Sequence, residues 1–246
     1  MSDRITRERE YHNKAFSEGL RKPAEKFYSI HKSSLDQLYA LLAKYGKGKD
    51  VLEYGCGTGG HIVFLTQHAQ TVTAIDISDY AIQTAREKVA ELNIDNASFF
   101  EMNAEHLNFE DDSFDLVFGN SIIHHLDLKQ AYSEIKRVLR PGGVAIFYEP
   151  LGHNYFINKY RSSTSQMRTA DEHPLLMKDI KLAGSYFHEV TVEYYHLTTL
   201  AAVPFRNTFL FNSWLGGLSL LDKTLFSLFP FIKKYAWFSI IVLKNE

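Results

Sequence analysis

The chain has 246 residues, 45% hydrophobic and 23% charged, with 27 basic against 29 acidic side chains and a formal charge of −2. That length supports one large α/β unit, and a single cysteine, Cys56, excludes an internal disulfide and any multi-cysteine zinc or iron–sulfur site. Balanced charge without a long basic block argues against a phosphate-driven grip on nucleic acid and favours a small neutral partner.

Residues 1–10 are charged where a signal peptide would carry an apolar core, so the cytoplasm is the expected compartment. Segment 1–48 reads as an N-terminal helical lid, polar to residue 30 and then carrying Leu35, Leu38, Leu41 and Leu42 at helical spacing. From residue 51, short apolar runs (51–52, 71–75, 98–102, 114–118, 144–148) alternate with helical stretches (59–67, 79–92, 128–139). Asp127 and Gln130 form the capping pair of the last of these helices, and Arg140-Pro141-Gly142-Gly143 breaks it into a turn. Two further β-rich runs, 187–195 and 236–243, bring the predicted strands to seven. The rhythm implies an α/β fold: a Rossmann-like, mostly parallel seven-stranded sheet with helices on both faces, a core over 49–150 and an apolar cap with the last strands over 151–246. Residues 207–221 are apolar but too short and too polar to cross a bilayer.

Val51-Leu52-Glu53-Tyr54-Gly55-Cys56-Gly57-Thr58-Gly59-Gly60 is a strand emptying into a glycine turn and then a helix. Glycines there let a ligand lie against bare main chain. Asp76 ends the next strand, where a carboxylate accepts both hydroxyl protons of a ribose, so a nucleoside ligand follows. Gly55, Gly57 and Gly60 also satisfy G-x-G-x-x-G, which leaves a nicotinamide dinucleotide open on spacing alone.

The chain resembles the class I S-adenosylmethionine-dependent methyltransferases, small-molecule branch, of the methyltransferase domain 11 type. Residues 53–59 match the first motif of that family, Asp76-Ile77-Ser78 the second-strand motif, and Asn103-Ala104-Glu105 the adenine-side position, where aspartate is the more usual first residue. Residues 114–121 match the fourth-strand motif and 139–143 the turn before the fifth strand. The resemblance implies S-adenosyl-L-methionine as cofactor, with Glu53, Gly55, Cys56, Gly57, Asp76, Ile77, Asn103, Ala104, Glu105 and Asn120 around it and Tyr28 as a lid contact. The hydride-transfer alternative lacks support: of the two Tyr-x-x-x-Lys matches, Tyr132/Lys136 sits on a sheet-covering helix and Tyr155/Lys159 lacks the serine usual upstream.

Methyl transfer from a sulfonium requires in-line approach, excluded water and, for some nucleophiles, a base, and it does not require a metal. His124 and His125 follow the fourth strand and are candidates either for that base or for capping a turn; Glu149 could orient or deprotonate a substrate or serve a structural bond. His153 falls at the same rim as Glu149; Tyr155, Tyr160 and Arg161 fall where the family commonly places its acceptor wall, and Arg168, Asp171, Glu172 and His173 read as a loop ion-pair network. Of 18 Phe, 14 Tyr and 2 Trp, 19 lie after residue 146, in the segment that walls an apolar pocket or presents a patch to a membrane or a second copy. The expected partner is a small apolar or aromatic molecule methylated on oxygen, with methylation on carbon or nitrogen, or a catalytically inert nucleoside-binding scaffold, as the alternatives; no nucleic acid and no transmembrane span are expected, and peripheral membrane contact or a homodimer stays open.

Overall fold

A computed structural model describes residues 3–20, 25–169 and 171–246. Its sheet has seven strands in the order β3-β2-β1-β4-β5-β7-β6: β1 (Asp50–Tyr54), β2 (Thr71–Asp76), β3 (Ala97–Glu101), β4 (Phe114–Asn120), β5 (Leu139–Pro150), β6 (Glu189–Tyr195) and β7 (Phe238–Lys244). The first five pair in parallel, and β7 runs antiparallel between β5 and β6.

Alternate residues of each strand feed opposite cores. Val51, Val72, Leu116 and Ile146 face one layer, built by α3 (Lys32–Gly46), α4 (Ile62–His68) and α5 (Asp79–Glu91). Leu52, Ile75, Val117 and Ala145 face the other, covered by α6 (Leu128–Val138) and α8 (Met177–Ala183). Burial on both faces is why these strands read as continuous apolar runs. Further described helices are α1 (Asp3–Glu18), α2 (Glu25–Tyr28), α7 (Tyr155–Ser163) and α9 (Phe211–Leu228).

Local chemistry sets the helix starts. Ser78 Oγ accepts the Ala81 amide at 3.0 Å, and Asp127 Oδ1 accepts the amides of Lys129 and Gln130, as the capping pattern anticipates. Two boundaries differ from expectation. The helix expected from residue 59 begins at Ile62, because Gly57 and Gly59 adopt φ of +52° and +73° and hold the chain out of helical geometry. Residues 139–143 do not form a separate turn: Leu139–Pro150 is one strand, in which Gly142 (φ +74°) carries a bulge that shifts register against β4 between Phe114 and Leu116.

Strand order reverses between β1 and β4, and ligands bind at the carboxyl ends of such a switch point. There Ile122 lies across the ends of both strands, which requires glycine beneath it. A Cβ at Gly55 would sit 2.8 Å from Ile122 Cγ1, and one at Gly119 would sit 2.6 Å from Ile122 Cγ2 and 2.7 Å from Phe147 Cε1. Gly119→Ala is therefore expected to destabilise the fold by about 1–3 kcal/mol in urea unfolding; an unchanged midpoint would show that this contact relaxes without cost.

Candidate cofactor and acceptor cleft

A cleft of about 440 Å³ opens at the switch point, under the roof of α1. Its floor is the glycine turn. Gly57 N–H donates to Asp76 Oδ2 (2.8 Å) and Ser78 N–H to Oδ1 (2.9 Å), so one buried carboxylate joins the first turn to the end of β2. Burial raises the Asp76 pKa, with the amides of Ser78 and Gly57 opposing it. Gly55, Cys56, Gly57, Asp76, Ile77, Asn103, Ala104 and Asn120 all line this cleft, as does Tyr28 from α2. Burial pushes the Cys56 thiol up, which leaves it protonated.

Two residues of the expected cofactor set stand apart. Glu105 does not reach the cleft: its carboxylate takes Arg4 at 2.5 Å and the Asp127 amide at 2.6 Å, and its own N–H is spent on Asn103 Oδ1. The main-chain amide at this edge thus falls to Ala104. Glu53 lies beneath the floor, 2% exposed, and its Oε2 has no hydrogen-bond partner among the described residues. Burial, then the neighbouring Asp76 charge, lift its pKa to about 8. An orphaned carboxyl beside the glycine turn fits a ligand carrying an ammonium group, as a methionine moiety does.

The histidine pair divides. His125 is 4% exposed and lines the cleft, and burial, then the adjacent His124, hold its pKa down at about 4, so the ring is neutral at pH 7. Its Nδ1 lies 3.3 Å from Glu8 Oε2 of α1, and neither ring nitrogen has a hydrogen-bond partner among the described residues. Burial would raise the Glu8 pKa, but His12, His125 and Thr169 outweigh it and hold the carboxyl well below the usual range. Glu8, His12 and His125 bring ligand-type atoms within 4.8 Å of one another.

His124 and Glu149 correct the expectation of a direct role in proton transfer to or from the acceptor. Neither lines the main cleft. Glu149 is fully buried; its Oε1 accepts the amides of Ile122 and Ile123 (2.8 and 2.9 Å), and its Oε2 lies 2.6 Å from His124 Nδ1. The carboxylate is a clamp for the turn that presents Ser121, Ile122 and His125, and Ser121 accepts a left-handed φ of +56° within it.

The acceptor-wall candidates also sit elsewhere. His153 Nε2 accepts the Met177 amide at the start of α8, Tyr155 is 69% exposed, and Tyr160 and Arg161 line a small side cavity of about 80 Å³. Glu172 is paired with Arg161 and Arg168, whereas Asp171 pairs with Arg7 of α1. The late aromatics Phe205, Phe209, Trp214, Phe229 and Phe231 do not line the cleft; Tyr148 and Phe238 do.

Sequence reasoning missed most of the roof and one side wall. Arg4, Glu8, His12 and Phe16 come from α1, which is pinned by Arg9–Glu101 (2.6 Å) and by Asn13 to Ser78 Oγ (2.6 Å) and Asp79 (2.6 Å). His61 Nε2 meets Asn120 Nδ2 at 2.8 Å and its Nδ1 the Tyr39 hydroxyl at 3.0 Å. Tyr148 Oη bridges His31 Nδ1 (2.9 Å) and Ser34 Oγ (2.8 Å), which in turn meets His196. Burial lowers the His31 pKa to about 3.

The Glu53 shift has a testable sign. A carboxyl whose folded pKa is raised contributes stability that is fully present below its unfolded pKa and is lost as pH climbs from there to about 8. Relative to Glu53→Gln, the wild type should lose up to about 1.4 kcal/mol per pH unit over that window in urea unfolding. A pH-independent difference would refute the shift.

Comparison with known proteins agrees with this geometry. Residues 52–147 match the family model described as a methyltransferase domain. A methyltransferase GfsG of Streptomyces halstedii is 38% identical over 111 residues, 44% of this chain and 40% of that protein. The malonyl-[acyl-carrier protein] O-methyltransferase of Pectobacterium atrosepticum is 30% identical over 141 residues, 56% and 53% of the two chains. The matched region thus spans about half or less of these curated relatives. Phosphoethanolamine N-methyltransferase 2 of Haemonchus contortus, solved with S-adenosyl-L-methionine, shares the fold with a TM-score of 0.62 at 20% identity, covering 85% of this chain and 52% of that one. The glycine turn, its acidic partner and the strand order thus fall in the region, residues 52–147, that is similar to a methyltransferase domain, on a fold shared with solved methyltransferases.

Proposed function

We propose that the chain methylates a small hydrophobic acceptor on oxygen, with S-adenosyl-L-methionine as donor. The observation that carries this reading is a neutral, buried imidazole, His125, at the cleft beside the ionised Glu8. In this reading Asp76 takes the ribose hydroxyls, Asn103 and the Ala104 amide take the adenine edge, and Glu53, from beneath the glycine turn, offers its carboxyl toward the amino group. When bound, the cofactor supplies an electrophilic methyl group on a sulfonium.

The chain's own residues supply position and a proton acceptor. Tyr28, Leu35, Ile122, Tyr148 and Phe238 give the cleft an apolar wall that excludes water from the reacting atoms. Glu8 facing Nδ1 favours the tautomer protonated there, which puts the ring's lone pair on Nε2, a buried atom that a hydroxyl meets only as the acceptor seats against the ring. His125 Nε2 would take the hydroxyl proton released as the methyl group passes to oxygen, with S-adenosylhomocysteine as the neutral leaving product. A relative named as an O-methyltransferase supports the choice of oxygen.

The test is incubation with labelled S-adenosylmethionine and a lipophilic metabolite extract, followed by mass spectrometry of the labelled products. Label is expected on an apolar hydroxyl compound; label confined to polar or macromolecular acceptors would overturn the acceptor class. With that product as the assay, His125→Ala and His125→Asn should lower kcat by about 10²-fold or more while leaving S-adenosylhomocysteine affinity within about twofold. Unchanged kcat would remove His125 as the base.

A further inference from the structure

The C-terminal segment presents an apolar exterior that the cleft does not use. Of the sixteen large hydrophobic residues exposed among those described, ten fall between Phe205 and Tyr235. Phe209 is 93% exposed and Phe231 71%. Leu210, Trp214, Leu221 and Leu228 are exposed at spacings of 4, 7 and 7 residues along α9 and its N-cap, which at about 100° per residue places them within about 40° of one another on one side of the helix. The inward side is a separate sector, where Leu215 and Phe226 are buried and Asp222 is bonded to Thr198 and Thr199. A helix facing only solvent would be polar on its outer side; this one is apolar on both.

The segment that carries this face is also basic in composition. Residues 197–237 carry four basic side chains, Arg206, Lys223, Lys233 and Lys234, against one acid, the buried Asp222, in a chain whose net charge is −2. An aromatic and aliphatic face with basic residues beside it is complementary to an anionic bilayer surface, where apolar side chains enter the acyl boundary and lysines meet headgroup phosphates. No helix among the described residues is long and apolar enough to cross a membrane, so the mode is interfacial.

We infer that α9 and the flanking turns 199–210 and 229–235 form a docking face for an anionic lipid bilayer. The position suits an apolar acceptor: the turn Thr199–Phe205 packs against both α9 and α2, and α2 carries the cleft residue Tyr28. Docking itself does not depend on the acceptor proposed above.

Co-sedimentation of the full chain with phosphatidylcholine vesicles containing 0% or about 30% phosphatidylglycerol tests the inference. Binding is expected to be at least about tenfold stronger to the anionic vesicles and to fall toward the neutral level in Lys233→Glu/Lys234→Glu. Phe209→Glu/Phe231→Glu should weaken binding to both vesicle types by at least about tenfold. S-adenosylhomocysteine affinity and melting temperature of these surface variants should match the wild type, which shows that they are folded and separates this test from that of the cleft. Absence of wild-type binding to either vesicle, or binding unaffected by the phenylalanine substitutions, would overturn the inference. So would a stable dimer in sedimentation velocity that Phe209→Glu/Phe231→Glu dissociates, because the face would then be covered by a second copy.

Discussion

Withdrawal of the Asp76 carboxylate from water is the constraint around which the site is built. Its two oxygens are held by Gly57 and Ser78, so the glycine turn after β1 and the cap of α5 meet at one anion. Gly57 offers its amide only because it occupies φ +52°, and the same geometry delays the start of α4. Just beneath, Glu53 would be a second buried charge, and it stays protonated through neutral pH because the loss of water on burial and the Asp76 charge both act against its ionisation. Two carboxyl groups a strand-end apart are thereby set to different states.

The roof is assembled by ionic and polar contacts together with the buried Ile5 and Ala15 of α1. Arg4, Arg9 and Asn13 of α1 reach Glu105, Glu101 and the Ser78–Asp79 cap, each near the carboxyl end of a strand. Arg4 also donates to the His125 carbonyl at 3.0 Å, and Glu8 faces the His125 ring. Seating of α1 and readiness of His125 are thus linked through one helix, while Glu149 fixes the same turn from below. Covering the cleft and orienting the His125 ring depend on the same contacts.

The parts legible in the sequence were those with short-range causes. The seven strands, the Asp127 cap and the glycine turn with Asp76 each follow from local spacing or backbone freedom, and they recur in the structure. A helical lid over 1–48 was legible, but which side of α1 faces the cleft was obscure, because Glu8 and His12 on that side are polar and interrupt any apolar period. The His31–Tyr148–Ser34–His196 group joins positions up to 165 residues apart, and no spacing rule connects them. Glu149 looked like a site acid from its place at a strand end, yet its oxygens turn inward to two amides. The aromatic skew was visible at once; that most of it lies outside the cleft depended on which side of α9 packs down.

The central claim is that the cleft at the end of β1 and β2 holds the nucleoside of S-adenosylmethionine through Asp76. Titration calorimetry with S-adenosylhomocysteine and with NADH, on the wild type and on Asp76→Ala, addresses it most directly. The expected result is saturable binding of S-adenosylhomocysteine, at least about tenfold weaker in Asp76→Ala because bonds to a charged acceptor are lost, and no binding of NADH. Binding of NADH in its place, or S-adenosylhomocysteine affinity indifferent to Asp76→Ala, would contradict it.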